Sequence, residues 1–91
     1  MTAVVDADGA VQGVFTDGDL RRVLDSGVDV RTVPIAKVMT LGGKRIAAGA
    51  LAAEAVQKME AAKITSLMVT DEAGRLAGVI HLQDLLRAGV V

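Results

Sequence analysis

Two phrases in this sequence place a carboxylate three residues after a polar side chain: Thr16-Asp17-Gly18-Asp19 and His81-Leu82-Gln83-Asp84. Each stands where an apolar run gives way to a predicted helix. A helix N-terminus offers unpaired N–H groups and the positive end of the helix dipole to a phosphate. A carboxylate beside it is a good acceptor for the cis-diol of a sugar. The same Thr-x-x-Asp spacing is also that of a capping box, in which both side chains bond the helix's own amides. The residues alone allow either. His81, the only histidine, can carry a proton or meet an anion at such a mouth, or be a loop residue without a role. A third candidate is Gly42-Gly43-Lys44-Arg45. Glycine permits close backbone approach to a phosphate and two cations follow it, but the phrase also suits a flexible turn with two solvated charges. It is not a P-loop, since no Ser or Thr follows the lysine and the glycine spacing is absent.

Other chemistry is poorly served. With one histidine and no cysteine the usual four-ligand zinc site cannot be assembled. There is no tyrosine, no Ser/His/Asp order with supporting motifs and no cofactor fingerprint, so neither catalysis by this chain nor a cofactor is expected. Ten basic residues oppose eleven acidic ones, and Phe15 is the only aromatic side chain. No basic stripe or stacking platform for nucleic acid results. Mean hydropathy is +0.46, yet Gly or a charge breaks every apolar run well short of the roughly 18 residues that span a membrane. No signal peptide is legible. The chain reads as a soluble, cytoplasmic one. Its 91 residues suit a single small core, and the 52% apolar content is mostly Ala, Val, Leu and Ile.

The elements that must position these residues come from an internal repeat. Shifted by 65, residues 4–24 fall on 69–89 without a gap, with eight identities over 21 positions. They are Val4/Val69, Asp6/Asp71, Gly9/Gly74, Gly13/Gly78, Val14/Val79, Asp19/Asp84, Leu20/Leu85 and Arg22/Arg87. Each copy reads as strand, turn, strand and helix: 2–6, 11–15 and 17–25 in the first, 66–70, 75–80 and 82–88 in the second. Between them, 28–33 is a connector and Pro34 opens a short helical turn through Met39. Residues 44–47 form a candidate strand. The longest helix covers 51–63, with Leu51, Ala55, Val56, Met59 and Ala62 on one face. Met39, Met59 and Met68 read as core residues, and Arg22 and Arg87 as cover for a helix flank or a subunit contact. The second unit is thus strand–helix–strand–strand–helix. The first shows only strand–strand–helix, so its opening strand and helix are expected upstream of Met1.

This order, given twice, resembles a cystathionine β-synthase (CBS) domain pair. The phrase Gly13-Val14-Phe15-Thr16-Asp17-Gly18-Asp19 is similar to that family's Gly-hydrophobic-x-Thr/Ser-x-x-Asp signature. Phe15-Thr16-Asp17-Gly18-Asp19-Leu20-Arg21-Arg22, Val38-Met39-Thr40 with Gly42-Gly43, and the stretch from His81 to Val91 resemble the tail of D-arabinose 5-phosphate isomerases. In those enzymes a sugar isomerase (SIS) domain does the chemistry and a CBS pair ends the chain. Leu41 stands where a proline commonly follows Met-Thr, and Gln83 where a second histidine is frequent.

The resemblance implies an α+β fold, a CBS pair of the Bateman type truncated at the start of its first unit. Residues 1–27 would end the first unit, 28–37 connect, and 38–91 form the second, the two sheets packing around a pseudo-twofold axis. It implies a regulatory module that binds a nucleotide or sugar nucleotide, with AMP, ATP and CMP-Kdo as candidates, through Thr16, Asp17, Asp19, Gly42, Gly43, Lys44, Arg45, His81 and Asp84. Thr16 would contact phosphate and Asp19 the ribose hydroxyls, with the first cleft the stronger binder. The partners implied are an upstream SIS domain and further copies of the chain. A purely structural dimerisation module is the alternative.

Overall fold

The computed structural model describes residues 1–89, and Val90 and Val91, which end the second repeat and its motif, lie outside the described residues. Strands β1 (Thr2–Val5) and β2 (Val11–Phe15) lead into helix α1 (Asp17–Asp25). A 3-10 turn at Ile35–Lys37 and strand β3 (Thr40–Leu41) follow. Then come β4 (Arg45–Ala47), α2 (Ala52–Ala62), β5 (Ser66–Thr70), β6 (Leu76–His81) and α3 (Leu82–Arg87). The chain forms two compact units, Met1–Gly43 and a second beginning at Lys44. Fold class is α+β, as the resemblance implied.

The two hairpins are near copies because their turn chemistry is the same. Asp6 Oδ1 accepts from the N–H of Asp8 (2.9 Å) and Ala10 (3.0 Å), and Asp71 Oδ1 from those of Ala73 and Arg75 (both 2.9 Å). Gly9 and Gly74 complete the turns at φ +85° and +80°, where a Cβ would be strained. Each hairpin also slips register at one place, Val4/Val5 and Val69/Thr70, which the shift of 65 superposes.

In the first unit the sheet runs β1-β2-β3, all antiparallel. The β3 pairing corrects the sequence reading, which placed Thr40 and Leu41 in a loop of the second repeat. Thr40 lies opposite Val14 and Leu41 opposite Gly13. Gly13 is what lets β3 come in: a Cβ there would stand 2.4 Å from the Thr40 carbonyl oxygen. Residues 38–43, read from sequence with the second repeat, therefore belong to the first compact unit.

In the second unit the order is β4-β5-β6, with β4 parallel to β5 and β6 antiparallel to it. The parallel connection is α2. Its Ala55, Val56 and Met59 are buried with Leu67 and Leu85, and Ile46, Ile64, Ile80 and Leu82 pack around them. Successive strand residues face opposite ways, and both Leu67 and Met68 have no exposed surface. Strand β5 is therefore covered on both faces. Two details depart from the helical pattern. Leu51 is the N-cap of α2 rather than part of its apolar face, and it is exposed. Met39 is only half-buried, unlike Met59 and Met68.

Candidate functional site

Asp19 is the centre of the first unit's polar chemistry. As the third residue of α1 it points back over the helix start and is 1% exposed. Its Oδ2 accepts from the Thr16 N–H (2.8 Å) and the Thr16 hydroxyl (3.0 Å), while Thr16 Oγ1 accepts from the Asp19 N–H (3.3 Å). That closes the capping box. Its Oδ1 accepts from the Thr40 hydroxyl at 2.7 Å and from the Arg22 guanidinium. Burial pushes the carboxyl toward protonation, but the bonds from Thr40 and Thr16 and the charge of Arg22 outweigh it, and the pKa is held below the ordinary carboxylate value. Asp19 is thus a buried anion kept ionised by converging donors.

Two of those donors were not read as site residues. Thr40 lies 21 positions away and reaches Asp19 because β3 pairs with β2, a tertiary fact with only the Val38-Met39-Thr40 phrase as its trace. Arg22 binds Asp19 one helical turn below it rather than simply covering the helix flank. Asp17 and Gly18 lie exposed at the same helix mouth.

Gly42 and Gly43 follow β3 at φ +77° and +106°. The Gly42 N–H donates to the Gln12 carbonyl at 3.2 Å, so its amide is committed to the sheet. Lys44 and Arg45 open the second unit. The Lys44 carbonyl accepts from the Met68 N–H (3.3 Å), and the Arg45 carbonyl accepts from Lys58 Nζ (2.6 Å). The four-residue phrase is therefore split between the two units, its backbone tied into sheet edges.

His81 and Asp84 repeat the arrangement in the second unit without the burial. The His81 N–H donates to Asp84 Oδ2 at 3.0 Å, and Arg87 Nη2 stands 4.0 Å from Asp84 Oδ1. The Asp84 side chain is 50% exposed. His81 lines a cavity of about 250 Å³ with Thr65, Leu82, Gln83 and Leu86. In the first unit an apolar cavity of about 230 Å³ lies between Phe15, Leu20, Val23, Val30, Val33, Ile35 and Val38. Among the described residues no group of three or more His, Cys, Asp or Glu side chains could hold a metal ion. No described helix is long and apolar enough to cross a membrane.

The CBS domain model matches residues 30–91. The arabinose 5-phosphate isomerase KdsD of Escherichia coli is 56% identical over all 91 residues, and that of Pseudomonas aeruginosa 54%. The chain spans only 27% of the length of the former. Among solved structures, CBSX2 in complex with AMP gives a TM-score of 0.80 at 22% identity, over 97% of this chain and 69% of that one. The cytosolic domain of the Mg2+ channel MgtE in complex with ATP gives 0.76 at 30% identity, over 94% and 32%. With paired hairpins, two capped helices and a family model that covers most of its length, the chain belongs to the CBS domain family.

Proposed function

We propose that this chain is the regulatory part of a D-arabinose 5-phosphate isomerase, binding a nucleotide or sugar nucleotide and passing that occupancy to an SIS domain elsewhere in a longer polypeptide. The observation that carries this reading is an identity of 54–56% across all 91 residues with isomerases of which such a stretch makes up about a quarter. The reaction would interconvert D-ribulose 5-phosphate and D-arabinose 5-phosphate in the cytoplasm, toward Kdo and lipopolysaccharide. Moving a proton at the carbon next to a carbonyl needs a positioned base, and the chain offers no supported constellation for one. A coupled assay of purified 1–91 with arabinose 5-phosphate is expected to give the buffer rate.

AMP, ATP and CMP-Kdo are the candidate ligands. The similarity of fold to CBSX2 in complex with AMP and to the MgtE cytosolic domain in complex with ATP supports the first two, and pathway chemistry suggests the third as an end product. Thr16, Asp17, Asp19, Gly42 and Gly43 would serve one site and Lys44, Arg45, His81 and Asp84 the other. At the first, a sugar diol has to share or displace the Thr40 and Arg22 donors now on Asp19. At the second, Asp84 is already open to solvent.

A purely structural dimerisation module is the second reading, favoured by the exposed Leu20, Leu24, Val28, Val30 and Ile35. Thermal denaturation with each ligand separates the two. A ligand at a hundred times its Kd adds about 2.7 kcal/mol of stability. A raised melting temperature with any of the three supports the sensor, and no shift at millimolar concentrations leaves the scaffold.

A further inference from the structure

The two oxygens of Asp19 already accept four hydrogen bonds, from the Thr16 N–H and hydroxyl, the Thr40 hydroxyl and the Arg22 guanidinium. Four is about the capacity of a carboxylate, and the residue is 1% exposed. A sugar hydroxyl can therefore reach this acceptor only if one donor leaves. The donors are not equally fixed. Both from Thr16 close the capping box of α1, and Arg22 stands one turn along the same helix. Arg22 also carries the charge that compensates a buried anion, so its loss costs more than exchanging one hydroxyl for another. Thr40 comes from β3, the shortest strand among the described residues, whose two members are both exposed. Among the described residues β3 pairs with β2 on one edge and with no strand on the other. It ends on the bond from the Gly42 N–H to the Gln12 carbonyl at 3.2 Å, and nothing lies within 4 Å of a Cβ built on Gly42. An element held by so few contacts belongs to the low-stability end of a fold and opens locally.

We propose that β3 is a lid on Asp19, latched by the Thr40 hydroxyl, and that a ligand diol opens it by taking that hydroxyl's place on Asp19 Oδ1. The exchange is chemically even, one neutral O–H donor for another, so the ligand has only to offset the freeing of a two-residue strand. Thr40 is then a positioning residue that competes with the ligand. The freed segment runs through Gly42 and Gly43 to Lys44, where the second unit begins. Occupancy at Asp19 is thereby converted into slack in the chain that joins the two units. Because only the open form binds, the apparent affinity is the intrinsic one scaled by the open fraction. This inference rests on the nucleotide reading of the Thr16 and Asp19 site and supplies its moving part.

Amide exchange followed by NMR tests it. Gly42 reports on the lid, and Leu20, whose N–H donates to the Thr16 carbonyl, reports on α1. Thr40→Val removes the latch and is expected to speed Gly42 exchange by about tenfold or more while leaving Leu20 within about twofold. Thr40→Ser keeps a hydroxyl and should stay near the wild type. Should the valine variant not fold, Thr40→Ala, which leaves room for a water on Asp19, decides by the same comparison. AMP is the ligand probe, set against its 2′,3′-dideoxy analogue, which lacks the diol. AMP should speed Gly42 exchange in the wild-type chain, and the analogue should not. The factor by which Thr40→Val speeds exchange should equal the factor by which it lowers the half-saturating AMP concentration, read from thermal shifts. Unchanged Gly42 exchange in Thr40→Val overturns the lid, as does AMP binding that leaves Gly42 protected or that is weaker in Thr40→Val. No melting shift with AMP in either chain overturns the nucleotide reading and the ligand-driven opening with it, a result that the Gly42 comparison keeps apart from a failed latch.

Discussion

Asp19 shows how one side chain can serve local and tertiary structure together. A capping bond satisfies an amide that the helix leaves unpaired, and the same carboxylate then collects the Thr40 hydroxyl and the Arg22 guanidinium. Taking away one partner of a buried charge costs more than an exposed hydrogen bond, because the desolvated group remains. Thr40→Val should therefore destabilise the chain by about 1–2 kcal/mol at neutral pH, read from urea unfolding. A loss below a few tenths would make the Thr40 bond incidental. The pH dependence has a definite sign. The folded-state pKa of Asp19 is lowered, so its stabilisation is fully present above the unfolded-state value of about 3.9. It is lost as pH falls through the folded value. Asp19→Asn should lower stability at pH 7 by about 2–3 kcal/mol and flatten the acid limb. An Asn variant that keeps the wild-type acid limb would place the acid-sensitive group elsewhere. Asp84→Asn, at a half-exposed carboxylate, should change stability by about 0.5 kcal/mol or less.

At the scale of elements, the two strand glycines make the sharpest comparison. Adding one methyl at Gly13 drives it into a backbone oxygen 2.4 Å away, so β3 must leave β2 or β2 must bend. Gly13→Ala is expected to cost about 1–3 kcal/mol, whereas Gly78→Ala in the same chain should be neutral or slightly stabilising. Similar costs at both positions would mean that strand conformation, not the approach of β3, sets the need for glycine. This pair also shows what a sequence can disclose. The hairpins were legible because Asp and Gly act locally, each turn closing on its own side chain. Helix α1 was legible to the residue, since Thr16 and Asp19 cap its start and Ser26-Gly27 end it. Strand β3 was not. Two residues carry no alternation, and their pairing depends on an absence, the missing Gly13 side chain 27 positions upstream. Leu51 was drawn into the α2 face because helical spacing runs on into the cap, where the backbone is still extended. The capping geometry of the candidate site was readable from spacing, but the donors that bury Asp19 arrive through the sheet.

The molecule as a whole distributes its apolar side chains unevenly. Of the eight buried hydrophobic residues among those described, Val14 and Val23 belong to the first unit, and the other six belong to the second. The exposed large hydrophobics among the described residues run the other way: Met1, Val5, Leu20, Leu24, Val28, Val30, Ile35 and Leu41 are in the first unit, against Leu51 and Leu86 in the second. Leu24 and Leu41 are 58% and 77% exposed. A segment that leaves so much apolar surface in water gains by covering it, at about 25 cal/mol for each Å² removed. Scattered exposed apolar residues need no explanation, but Leu20, Leu24, Val28, Val30 and Ile35 on one helix and its following connector are the kind of run that a partner would cover. Closed symmetry makes a twofold pair the simplest assembly. Sedimentation equilibrium at tens of micromolar is therefore expected to give a mass of at least twice 9.3 kDa. Leu20→Glu with Leu24→Glu should return the chain toward the monomer, because two charges on α1 would have to be desolvated at the interface. Neither side chain is buried in the chain, so circular dichroism should show the fold retained. A wild-type chain that sediments as a monomer would remove the case for self-association, and a double variant that still pairs would move the contact off α1.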